Sequence, residues 1–204
     1  MTKIIAPAGF RPGGFLKSKI WLRLAHFQCD NGALMSATES KLAKMGLRLP
    51  PVHPYPSPNR IPCVLVGNIL FLGGHSTARH PLMLGAKNTG KVGSEISEQE
   101  AYVAARAVAL QILASIKGLI GDLDRVKRVI RLHGMVNSAP GFERQFAVID
   151  GASDLFFELW GPERGAHARS AIGVAELPRR SILEIVGEFE LYPERRVSRK
   201  TNEK

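Results

Sequence analysis

Cysteine is scarce in this chain. Cys29 and Cys63 are the only two among 204 residues, too few for a disulfide framework and not spaced as metal ligands. That usage fits a reducing compartment, so the cytoplasm is the expected location. Long apolar runs are also missing: no stretch reads as a membrane span, which takes roughly 20 residues. Residues 1–34 hold one acid, Asp30, against five basic residues. Lys17, Lys19 and Arg23 break up any secretory apolar core, whereas the basic, amphipathic stretch from Phe15 to Phe27 is like a transit peptide. Met35, followed by Ser36-Ala37-Thr38-Glu39, reads equally as an alternative start. Residues 1–37 are therefore set apart as an N-terminal extension.

What the chain does have is positive charge, formally +10. The first 34 residues carry +4 and residues 192–204 carry +3, so only +3 falls between them. Excess charge on the tails and a near-balanced middle argue against a nucleic-acid surface, which needs basic residues gathered on the folded part. The divisions are thus 1–37, a single domain over 38–191, and a basic tail over 192–204.

Periodicity orders the domain. Thr38 to Met45 reads as a short helix with Thr38 as N-cap, followed by a proline-rich connector over 50–62. Ile61–Val66 and Ile69–Leu72 read as a hairpin joined at Gly67-Asn68, with Gly73-Gly74 ending the second strand and a loop over 76–95. The strongest helical signal runs from Glu98 to Ile120, opened by a Ser97/Glu100 capping box and stopped by Gly121. A strand over Val126–Val136 precedes a second helix, Phe142–Trp160, with Phe146, Ile149, Ser153, Phe156 and Trp160 on one side. Strands over Ala168–Leu177 and Ile182–Leu191 complete the order β-β-α-β-α-β-β. The expected class is α+β: one mainly antiparallel sheet with two helices packed on one face. Cys63 should face the core and be inert.

Arg169 stands in a strand of small and apolar residues. A guanidinium on a buried face needs an anion for its fork of donors, either a protein carboxylate or a ligand carboxylate. Glu184 stands in the next strand, with Glu188 and Glu190 on the same strand face. If these strands form a hairpin through Pro178–Ser181, Glu184 opposes Ala175. Arg169 then lies six residues further along, roughly 20 Å away on the same face. The two meet only across a subunit boundary. His75 and His80 lack a third ligand at metal spacing and read as polar loop residues. Asp150 reads equally as an acid that orients His75 or Arg169 and as a helix-surface acid, and Arg60 reads as a connector residue or a second anion contact. Arg179-Arg180 falls at the hairpin tip, exposed to solvent.

Several motifs occur together and in order: Val66-Gly67-Asn68-Ile69-Leu70-Phe71 with Gly74, Leu119-Ile120-Gly121-Asp122-Leu123, Ala168-Arg169-Ser170, and Val174-Ala175 with Leu177-Pro178 and Glu184. In these the chain resembles the Rid/YjgF family of reactive-intermediate deaminases. Val148 to Leu155 is similar to the branch with Gly-Ala-Ser-Asp in the second helix. The resemblance covers about 38–191 and implies a chorismate-mutase-like fold, a homotrimer with sites at the subunit interfaces, and no cofactor or metal. It implies hydrolysis of enamines and imines, such as 2-aminoacrylate, to a 2-keto acid and ammonia. Arg169 would grip the substrate carboxylate and Glu184 would position or activate the attacking water. Four family pocket positions are changed: a tyrosine to Arg60, a serine to Gly73, a glutamine to His75 and an asparagine to Asp150. A non-catalytic binder of a small carboxylate metabolite is one alternative. An endoribonuclease or translation inhibitor is another.

Overall fold

The computed structural model describes residues 36–52, 59–79 and 85–193. The N-terminal stretch with its transit-like segment, residues 53–58 of the proline-rich connector, His80 and all but the first two residues of the basic tail lie outside them.

Helix α2 (Glu98–Ile120) is the centre of the domain. Ser97 and Glu100 close the expected capping box: Ser97 Oγ accepts the Glu100 N–H at 3.2 Å, and Glu100 Oε2 accepts the Ser97 N–H at 2.9 Å. Contrary to the sequence reading, this helix is long and apolar enough to cross a membrane, but two-thirds of its apolar window is buried within the fold. Its apolar surface runs nearly all round, from Ala101 to Ile116, because it is covered by the sheet on one side and by helix α3 (Gln145–Gly165) on the other. A helix buried on both sides needs no polar face.

Gly151 lets α3 settle on α2. A Cβ there would lie 2.1 Å from the Tyr102 carbonyl oxygen, so the helices approach at backbone distance. That contact sets the buried face of α3 as Val148, Ile149, Ala152, Leu155, Phe156 and Leu159, and leaves Phe146 half exposed. Of the side read by spacing, Ile149, Phe156 and Trp160 are buried and Ser153 is half-buried. Gly161 breaks the helix at φ 72°, and the chain resumes one more turn to Gly165. Phe156 stacks on Trp160 at 5.8 Å and meets the edge of Phe189 at 5.7 Å. Phe156 and Phe189 are fully buried, and each contributes about 1.5–3 kcal/mol of transfer free energy.

Strands β1 (Cys63–Val66), β2 (Ile69–Ser76), β3 (Val126–Asn137), β4 (Ala168–Val174) and β5 (Leu183–Leu191) form one sheet in the order β1-β2-β5-β3-β4. The β1–β2 hairpin turns at Gly67-Asn68 as expected. Gly73-Gly74 do not end β2: they form a bulge, after which pairing with β5 resumes at His75. Helix α1 (Ala37–Lys44) is capped by Ser36 rather than Thr38, and Asp124 accepts the N–H groups of Ala37 and Thr38 at 2.7 and 2.9 Å. Cys63 is buried, and burial pushes its thiol up to about 12.

The expected β4–β5 hairpin does not form. β4 pairs with β3 in parallel, β5 pairs with β3 antiparallel, and β3 lies between them. Asn137, at the end of β3, draws the intervening chain across: its N–H donates to the Ile182 carbonyl at 2.9 Å and its side-chain amide to the Ser181 carbonyl at 3.2 Å. Lys91 Nζ holds the outgoing side through the Ala175 carbonyl and, at 3.2 Å, the Glu176 carboxylate. The order strand–helix–strand over β3-α3-β4 is the signal for this parallel pair.

Candidate functional site

The register separates the two residues that the sequence brings forward. Arg169 is level with Leu132, and Glu184 is level with Met135. Three positions along β3 is an odd number, so the two side chains stand on opposite faces of the sheet. The shared face expected from a hairpin is therefore corrected, because β4 and β5 do not pair. Arg169 faces the helices. Glu184 faces the side that no described helix covers, together with Glu188 and Glu190. On that face Arg131 grips Glu188 with two bonds of 2.6 and 2.9 Å, and Lys127 holds Glu190 at 2.8 Å.

Arg169 sits at the sheet edge, with its guanidinium against α3. Its Nη1 donates to Asp150 Oδ1 at 2.6 Å and to Ser153 Oγ at 3.0 Å. Asp150 and Ser153 are three residues apart and share a helix face. Among the described residues these are the protein acceptors of Arg169, which leaves Nε and Nη2 for a further anion. Its side chain is 21% exposed, so the group is partly desolvated but reachable.

His167 continues the network. Its Nδ1 is 2.7 Å from the Gly165 carbonyl, and its Nε2 is 3.1 Å from Ser153 Oγ. A carbonyl only accepts, so Nδ1 carries the proton and Nε2 of the neutral ring is an acceptor. Burial lowers the His167 pKa below its ordinary value, and the nearby Arg169 charge adds to this; the Gly165 hydrogen bond opposes both. Ser153, Asp154, Phe157, Gly165, His167 and Arg169 help line a recess of about 440 Å³. At its rim Asp154 accepts the Tyr102 hydroxyl at 2.8 Å.

The other candidates lie elsewhere. Arg60 is exposed just before β1. Gly73 is in the β2 bulge and donates its N–H to the Pro62 carbonyl at 2.8 Å. A Cβ at Gly74 would come within 2.1 Å of Glu184 Oε1, so that glycine clears the space for the carboxylate. His75 is no loop residue: it is buried in β2 between the Gly73 carbonyl and Ser115 Oγ, each at 2.8 Å. Asp150 pairs with Arg169, not His75. Arg179 and Arg180 are exposed as expected, in a short turn rather than a hairpin tip, and Arg180 pairs with Glu95. Within one protomer, then, Arg169 and Asp150 form one group, and Gly73, Glu184 and the approach to β1 form another. Sequence reasoning did not pick out His167. Its signal was its place two residues before Arg169, at the entry to β4.

The family description "YjgF/chorismate_mutase-like, putative endoribonuclease" matches residues 39–189. The chain belongs to the YjgF family. This YjgF-family chain is 39% identical over 152 residues to Protein TCP17 of Trypanosoma cruzi, which covers 74% of this chain and 92% of that protein. Among solved structures it is similar to Atu1372 of Agrobacterium tumefaciens, with 36% identity, TM-score 0.66, and coverage of 76% and 94%. It is also similar to a Shewanella oneidensis protein described as a "putative endoribonuclease", with 31% identity, TM-score 0.68, and coverage of 76% and 99%. The YjgF fold expected from the motifs is the fold observed, with one parallel strand pair in an otherwise antiparallel sheet.

Proposed function

We propose that this chain hydrolyses small enamine or imine acids to the 2-keto acid and ammonia, in the cytoplasm and without a cofactor. The observation that carries the reading is Arg169, a partly buried arginine in an open recess whose Nη1 alone is taken by protein acceptors. Its Nε–Nη2 edge matches the two oxygens of a carboxylate. An α-imino acid held there presents an electrophilic carbon next to its carboxylate, and water can add to it without metal or redox help.

Glu184 enters from a second copy. The helix-free face exposes Phe71 and Ile172 beside its charged rows, and Val64, paired with Phe71, is exposed on β1. Apolar side chains on an uncovered sheet face favour a homotrimer in which this face is shared. In that assembly Glu184 of one copy positions water at Arg169 of another.

The test is release of 2-keto acid from an imino acid generated in situ by an amino-acid oxidase. Native protein should accelerate release, and Arg169→Ala should abolish the acceleration. No acceleration by native protein removes the hydrolase reading. Pyruvate binding without turnover supports the alternative of a carboxylate-binding protein. An RNA-directed role is favoured by the family description and that of the Shewanella relative. It predicts a salt-sensitive RNA shift that survives removal of both tails.

A further inference from the structure

We infer that His167, acting through Ser153, takes the proton of the attacking water in the Arg169 recess. The inference rests on the hydrolase reading above and adds to it the group that moves the proton. Hydrolysis needs a proton acceptor beside the bound carbon. Within one protomer Glu184 is on the wrong face of the sheet to supply it.

The hydrogen-bond inventory around Ser153 fits a relay. A hydroxyl has one donor and two acceptor sites. Arg169 Nη1 occupies one acceptor site at 3.0 Å. The Ser153 proton is directed to His167 Nε2 at 3.1 Å, because Nδ1 already donates to Gly165. The second acceptor site of Ser153 is left for a water in the recess. That water lies next to the guanidinium that holds the substrate carboxylate. The backbone bond at Gly165 and the edge contact with Phe156 fix the ring. The charged groups facing His167 are Arg169 from β4 and Asp150 and Asp154 from α3. Burial first, and then the Arg169 charge, lower the His167 pKa and so favour the neutral ring that can accept.

The step balances. Water oxygen bonds to the iminium carbon as the C=N π pair moves to nitrogen. A water proton passes to Ser153 while the Ser153 proton passes to Nε2, giving a neutral carbinolamine and imidazolium. The imidazolium returns its proton through Ser153 to the amine nitrogen. The C–N bond then breaks with its electron pair on nitrogen while the hydroxyl oxygen forms the carbonyl, and the hydroxyl proton passes through Ser153 and Nε2 to the departing ammonia, which leaves as ammonium. No oxidant, reductant or metal enters.

The test compares native protein, His167→Asn and Ser153→Ala in the keto-acid assay from pH 5 to 9, with pyruvate binding measured alongside. Asparagine can keep the donor to Gly165 but removes the acceptor to Ser153. Both variants should lose about 10²-fold or more in kcat with KM and pyruvate affinity little changed. Ser153→Thr, which keeps the hydroxyl, should recover turnover. Native kcat should fall as pH drops through a pKa below the ordinary histidine value, since protonated His167 cannot accept, and His167→Asn should lack that acid limb. Unchanged kcat, or an acid limb retained in His167→Asn, overturns the inference and leaves the hydrolase reading standing. Loss of pyruvate binding in His167→Asn also overturns it, by making the ring structural. A native protein without turnover overturns both.

Discussion

The two faces of the sheet carry different chemistry. On the helix-covered face, at the β4 edge, a single arginine is held by Asp150 and Ser153 in a recess that also contains a histidine whose pKa burial lowers. On the helix-free face, Arg131 and Lys127 answer Glu188 and Glu190, while Glu184 lies over Gly74 beside half-exposed apolar side chains. The first face has an unfinished anion site. The second has an unfinished surface. Arg169 and Glu184 belong to different faces of one protomer, so a site that uses both is built between protomers. The proposed trimer is what would bring the two halves together.

The strongest way to break this comparison is to spoil the helix-free face alone. Phe71→Asp puts a charge where the proposed trimer is dry, and an unpaired buried charge is costly. It should yield monomers by sedimentation and reduce turnover by more than about 10²-fold, although Phe71 is three strands away from Arg169 in its own chain. Full activity in a verified monomer would show that the recess works without its neighbour.

A smaller effect should come from the covered face. Asp150→Asn keeps the shape of the side chain and removes the carboxylate that competes for Arg169 Nη1. An ion pair this exposed is worth up to about 1 kcal/mol, so pyruvate should bind up to about fivefold tighter by calorimetry. Weaker binding would mean that Asp150 chiefly orients the arginine. The smallest effect is a control in neither half-site. Ser97→Ala removes the α2 cap and should cost about 1 kcal/mol in denaturant unfolding with turnover per folded protein unchanged.

Local rules made most of the fold legible. The capping box fixed the start of α2, and Gly67-Asn68 fixed the first hairpin. Burial of Cys63 followed from alternation. What failed was non-local. The path from β4 to β5 depends on Asn137 and Lys91, which lie 40 or more residues before the segment they hold. Two strands separated by a short proline turn look like a hairpin unless the preceding strand–helix–strand order is weighed first. That one error reversed the relative face of Arg169 and Glu184. His75 was misplaced for a related reason: the glycine pair reads as a strand end, whereas the bulge carries the strand on into the core. His167 was given no role because its partners, Ser153 and the Gly165 carbonyl, belong to α3, which the pattern of the β4 segment does not reveal.

The division of the site between copies is tested most directly by mixing two damaged proteins. Arg169→Ala and Glu184→Ala should each be crippled in keto-acid release when expressed alone. Co-expressed, they should form mixed assemblies in which about one site in four draws an intact Arg169 from one copy and an intact Glu184 from another. The account predicts that turnover returns to roughly a quarter of native on that basis. A mixture no more active than its two parents, or a Glu184→Ala protein as active alone as native, would contradict it.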